Sequence, residues 1–78
     1  MKLIRTYLTS EVKERIKQIL NDDFPAGKYP CENVLIIYAR DKSGRHAIRL
    51  DIRTPQGLFQ TNFGGKDKQT ILDWYEVK

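Results

Sequence analysis

Several residue patterns are scarce in this chain, and each scarcity removes a class of protein. A single cysteine, Cys31, permits no internal disulfide, so the sequence is not that of a small secreted domain stapled by its bridges. A single histidine, His46, joins it to give one nitrogen and one sulfur ligand, short of the closed set that structural zinc needs. No apolar run approaches the ~20 residues of a membrane span. Lys2-Leu3-Ile4-Arg5 meets polar residues too soon to be the apolar region of a signal peptide. The expected location is therefore cytoplasmic, with no membrane partner. Basic residues never run consecutively, which excludes a polybasic membrane segment or a nuclear-localisation tract.

What remains is an ordinary globular composition, 40% hydrophobic and 31% charged over 78 residues. That length makes residues 1–78 one domain with a small core. The net charge of +4 is unevenly placed. Residues 1–39 carry six basic and five acidic side chains, whereas residues 40–78 carry eight and five. The excess belongs to the second half. It is compatible with nucleic acid, with an acidic protein surface, or with no charged partner at all.

Two turns organise the chain. Apolar residues alternate through Val34, Ile36 and Tyr38, then Ile48, Leu50 and Ile52, then Phe59, Thr61 and Phe63. Asp41-Lys42-Ser43-Gly44 and Thr54-Pro55-Gln56-Gly57 separate these runs, each ending in a glycine suited to a hairpin corner. A three-residue loop with Gly44 at the bulge pairs Asp41 with Arg45, and then Tyr38 faces Ile48, Ile36 faces Leu50 and Val34 faces Ile52. A one-residue slip would send all six side chains to the other face. At the second turn the apolar pattern favours the register with Ile52 opposite Phe59 and Ile48 opposite Phe63.

Upstream, Val12, Ile16, Ile19 and Leu20 share one face of a helix running from about Ser10 to Asn21, with Thr9 as its N-cap. Lys2–Leu8 reads as a short strand and Pro25–Pro30 as a stiff loop. Gly64-Gly65 ends the last hairpin strand. The tail from Thr70 to Val77, rich in β-branched and aromatic residues, reads as a strand. A helical turn over Lys68 to Asp73, capped by Asp67, is the alternative. The expected fold is α+β: one N-terminal amphipathic helix packed on an antiparallel meander sheet of four to five strands.

No catalytic or metal motif stands out, and no cofactor is expected. Cys31 and His46 are the one candidate nucleophile–base pair, but Cys31 precedes the first hairpin while His46 lies opposite Arg40 at its turn end. Asp22-Asp23 reads as a solvated pair at a helix end. Gly64-Gly65-Lys66-Asp67-Lys68 has the composition of a phosphate loop without its spacing, and reads as a turn. An enzyme is not expected. The sheet face away from the helix is the better candidate. It carries Leu35, Ile37 and Ala39, then Ala47, Arg49, Asp51 and Arg53, then Leu58, Gln60 and Asn62. Leu35, Ile37, Arg49 and Arg53 are the expected partner-binding residues, unless another segment or a second copy of the chain covers them.

Pro30 leading into Val34-Leu35, the hairpin after it, Gly57-Leu58-Phe59, and Ile71 followed by Trp74 together resemble domain-of-unknown-function family 551, common in phages and prophages. The likeness spans about two-thirds of the chain. That family usually opens with a Trp-Ile pair and ends on a proline-containing segment. Here the pair is absent and the end is Tyr75-Glu76-Val77-Lys78. The resemblance implies a phage or mobile-element accessory protein. The expected function is binding of a host protein, as an inhibitor of a defence system. The alternative is a small basic nucleic-acid-binding domain.

Overall fold

The computed structural model describes residues 6–77, except the side chains of Phe63 and Lys66. Helix α1 spans Ser10–Asn21. Strands β1 (Gly27–Cys31), β2 (Val34–Arg40), β3 (His46–Thr54) and β4 (Gly57–Lys66) follow, and helix α2 (Lys68–Trp74) closes the order. The four strands form one antiparallel meander, β1-β2-β3-β4. This is the expected α+β architecture.

Local chemistry sets the ends of α1. The Thr9 hydroxyl accepts from the Val12 amide at 3.3 Å and donates to the Glu32 carboxylate, so one side chain both caps α1 and ties it to the β1–β2 turn. Val12, Ile16, Ile19 and Leu20 are buried, as their spacing requires. They pack on Val34, Ile36, Tyr38, Ile48, Leu50 and Ile52, the alternate residues of β2 and β3. Both hairpin registers are the expected ones: Tyr38 opposite Ile48, Ile36 opposite Leu50, Ile52 opposite Phe59 and Ile48 opposite Phe63. At the first turn the Asp41 and Arg45 backbones bond at 3.0 Å and Gly44 takes φ +87°. The Asp41 carboxylate accepts from the Ser43 amide, the Ser43 hydroxyl and the Arg45 amide, and these bonds hold its pKa below the ordinary carboxylate value.

Four expectations need correction. The segment read as a stiff loop contains β1, which pairs Tyr29 with Ile36 and Pro30 with Leu35. Cys31 and Val34 flank a two-residue turn in which Glu32 takes φ 56°. Hydrogen bonding in an antiparallel ladder alternates, so the nitrogen of Pro30 faces the outer edge, where a missing N–H costs nothing. Gly64-Gly65 does not end β4: the strand continues to Lys66, with a register irregularity between His46 and Ile48 absorbing the bend. The tail is not a fifth strand but takes the helical alternative, α2. Its N-cap Asp67 accepts from the Thr70 amide at 2.8 Å, and Ile71, Leu72 and Tyr75 are buried at helical spacing. Most of the strand expected at Lys2–Leu8 lies outside the described residues. Within them Thr6 and Tyr7 are helical, and the adjacent Tyr7 and Leu8 both pack on the core, which strand alternation does not allow.

Ile16 is fully buried between α1 and the sheet. Ile16→Ala is expected to cost about 2–4 kcal/mol in urea unfolding, the loss of a buried branched side chain plus the cavity it leaves. A loss below about 0.5 kcal/mol would show that the α1 stripe is not the core.

Candidate functional site

Both helices pack on one face of the sheet. The opposite face holds Lys28 and Pro30 of β1, Leu35, Ile37 and Ala39 of β2, Ala47, Arg49, Asp51 and Arg53 of β3, and Leu58, Gln60 and Asn62 of β4. None of these side chains is fully buried. Cross-strand rows run Lys28–Ile37–Arg49–Asn62 and Pro30–Leu35–Asp51–Gln60, with Arg53 opposite Leu58. Leu35 and Ile37 thus form a half-buried centre, and Leu58, 57% exposed, extends the apolar area to β4.

The two arginines of this face differ. Arg49 binds Asp51 through a fork, Nε to Oδ1 at 2.9 Å and the second nitrogen to Oδ2 at 3.1 Å. The Arg49 hydrogen bonds hold the Asp51 carboxyl below its ordinary range, and the same bonds raise the arginine's pKa. Arg53 makes no side-chain ion pair among the described residues. Arg49 is therefore paired beside Ile37, and with Lys28 and Arg53 added to one carboxylate the face is net positive. Among the described residues no aromatic ring lies on this face, because Tyr29, Tyr38 and Phe59 alternate toward the helices.

Cys31 and His46 do not meet. The chain doubles back after Cys31, but at the end of β2 remote from His46, leaving them the length of β2 apart, roughly 20 Å. Burial raises the Cys31 thiol pKa, the opposite of activation. Asp22 is the C-cap of α1, and Asp23, at φ 53°, lies 3.9 Å from Arg40. In the lysine–glycine segment the Asp67 carboxylate takes the Thr70 amide at the start of α2, the place an anion would otherwise use. Among the described residues no group of three or more His, Cys, Asp or Glu converges on a metal position. No described helix is long and apolar enough to cross a membrane.

One cluster escaped the sequence reading. The buried Tyr38 hydroxyl accepts from Arg40 Nε at 3.1 Å and lies 2.6 Å from His46 Nδ1, to which it donates when the neutral imidazole carries its proton on Nε2. The signal was available in part: Tyr38 and Arg40 share a face at i, i+2, and His46 was placed opposite Arg40. Length of reach decided the rest. Burial lowers the His46 pKa from its ordinary 6.5, and the Arg40 and Lys68 charges lower it further against the weaker pull of Asp23 and Asp41.

No protein-family model, no curated protein and no solved structure matches this chain.

Two outcomes follow from these contacts. Folded His46 binds fewer protons than unfolded His46 between its lowered pKa and 6.5, so its contribution to stability is present above that window and is lost as pH falls through it. Urea midpoints should fall between about pH 7.5 and about pH 5, and His46→Gln should flatten that slope. A slope unchanged in His46→Gln would reject the assignment. Cys31→Ser should melt within about 3 °C of the wild type, and a larger shift would give the thiol a structural role.

Proposed function

We propose that this protein is a non-enzymatic binding module that engages a host protein through the open sheet face, as an accessory product of a phage or mobile element directed against a host defence system. The observation that carries the reading is the one-sided sheet: half-buried Leu35 and Ile37 sit at the centre of a face with Lys28, Arg49, Arg53 and exposed Leu58 around them. An apolar centre supplies the anchor of a protein interface, and unpaired rim cations select an acidic partner. The phage origin rests on the family resemblance at Val34-Leu35, Gly57-Leu58-Phe59 and Ile71 to Trp74, and the anti-defence role on that origin.

A nucleic-acid-binding domain is the second reading, favoured by the excess of basic residues after position 40. The missing aromatic rings count against it, since single strands are held largely by stacking. The two readings separate by salt. Three phosphate contacts, from Lys28, Arg49 and Arg53, would lose about 40-fold in affinity between about 50 and 200 mM salt. An interface centred on Leu35 and Ile37 should change only a few-fold over that range.

The test pairs Lys28→Glu with Arg53→Glu, exposed positions whose reversal leaves the core untouched. Wild-type and variant proteins are compared in pull-downs from bacterial lysate and in DNA and RNA titrations at both salt concentrations. A salt-tolerant protein partner kept by the wild type and lost by the folded variant is expected. Retention of every partner by the variant would place the site elsewhere, and binding of nucleic acid alone would establish the second reading.

A further inference from the structure

The two edges of the sheet are built differently. On β1 the outer edge carries Pro30 and Lys28 over a five-residue strand, the usual means of keeping another strand away. On β4 those devices are missing. The strand is ten residues long, contains no proline, has no charge from Gly57 to Gly65, and pairs with β3 without irregularity from Gly57 to Phe63.

The ladder also fixes which β4 groups face outward. The Arg53 amide donates to the Asn33 carbonyl, so Arg53, Asp51 and Arg49 direct their backbone groups toward β2. Alternation then gives Ile52, Leu50 and Ile48 to β4, where Phe59, Thr61 and Phe63 receive them. The N–H and C=O groups of Leu58, Gln60 and Asn62 are left pointing out of the sheet. Among the described residues no strand meets them. Among the described residues the exposed large apolar side chains are Leu58 at 57%, Phe59 at 37% and Trp74 at 58%. Leu58 flanks this edge on the open face and Phe59 on the helix face. Trp74 precedes Tyr75, whose hydroxyl lies 3.2 Å from that of Thr61 in the same strand.

We propose that β4 is a self-association edge, on which a second copy of this chain adds its own β4 antiparallel. Charge selects a second copy as the occupant. Each chain carries +4 overall, and the uncharged stretch of β4 is where two such molecules meet without opposing like charges. Symmetry completes the fit. A two-fold axis through Gln60 sets it opposite its own counterpart and Leu58 opposite Asn62 of the second copy. All three outward-facing residues then find partners, in about six main-chain hydrogen bonds. Phe59 falls opposite Thr61 on the helix side. The axis is perpendicular to the sheet, so the dimer is a continuous eight-stranded sheet with the helices on one side and both open faces side by side on the other. Strand pairing with a few apolar contacts buries less than the roughly 800 Å² per partner of a stable complex, so the dimer is reversible.

Sedimentation velocity over a concentration series up to about 1 mM tests this without reference to any binding partner. Wild-type protein should shift from monomer to dimer. Gln60→Pro removes an outward N–H that β3 does not use, and should keep the fold while abolishing the shift. Leu58→Lys with Asn62→Lys should do the same by setting lysines opposite one another. Mixing that variant with one carrying Leu58→Glu and Asn62→Glu should restore a dimer. A wild type that stays monomeric throughout, or either variant dimerising as the wild type does, overturns the proposal.

Discussion

The pairing of β2 with β3 is the constraint on which the rest of the molecule depends. Asp41 closes the turn between them by accepting three hydrogen bonds at its carboxylate, and Gly44 supplies the left-handed residue the three-residue loop needs. Once Asp41 bonds to Arg45, strand periodicity leaves no freedom. Val34, Ile36, Tyr38, Ile48, Leu50 and Ile52 go to one face together. That face is the site on which Val12, Ile16, Ile19 and Leu20 of α1 and Ile71, Leu72 and Tyr75 of α2 bury themselves. A small domain has one core, and here it lies entirely between the helices and a single side of the sheet.

One-sided burial has a cost that the other face shows. A sheet central enough to place Leu35 and Ile37 on an inner strand cannot hide them without a second layer, and the described chain provides none. The surrounding side chains moderate the exposure. The Arg49–Asp51 fork lies beside this apolar centre, and Lys28 and Arg53 keep charge at its margin. On the proposed reading, a partner engaging this face would have to satisfy apolar and positive groups together.

The ends of the core are closed by polar groups with full partners. Tyr38 brings a hydroxyl into the interior, and Arg40 and His46 satisfy it from the strand ends. Tyr75 does the same at the other helix, sharing a hydrogen bond with Thr61. No buried side-chain nitrogen or oxygen among the described residues lacks a partner. Of the chemistry-bearing residues, His46 and Asp67 are thereby engaged in structure and Cys31 stands apart. His46 serves the core, Cys31 lies along the length of β2 from it, and Asp67 is consumed by capping α2.

Periodicity and turn chemistry were enough to locate α1, the two hairpins from β2 to β4, their register and the residues these three strands give to each sheet face, because these depend on neighbours a few positions apart. Thr9, Gly44 and the alternation from Val34 to Phe63 are local signals, and they act locally. Strand β1 was not legible, because a proline-bounded segment becomes a strand only when an edge is present to receive it. The tail was open for a related reason. Thr70 to Tyr75 has the composition of a strand, and it is helix because Asp67 caps it and the groove beside α1 buries Ile71, Leu72 and Tyr75 at helical spacing. The residues of the open face were readable from the register, but the difference between Arg49 and Arg53 was not. Only three-dimensional placement decides which of two like charges meets the single carboxylate of the face.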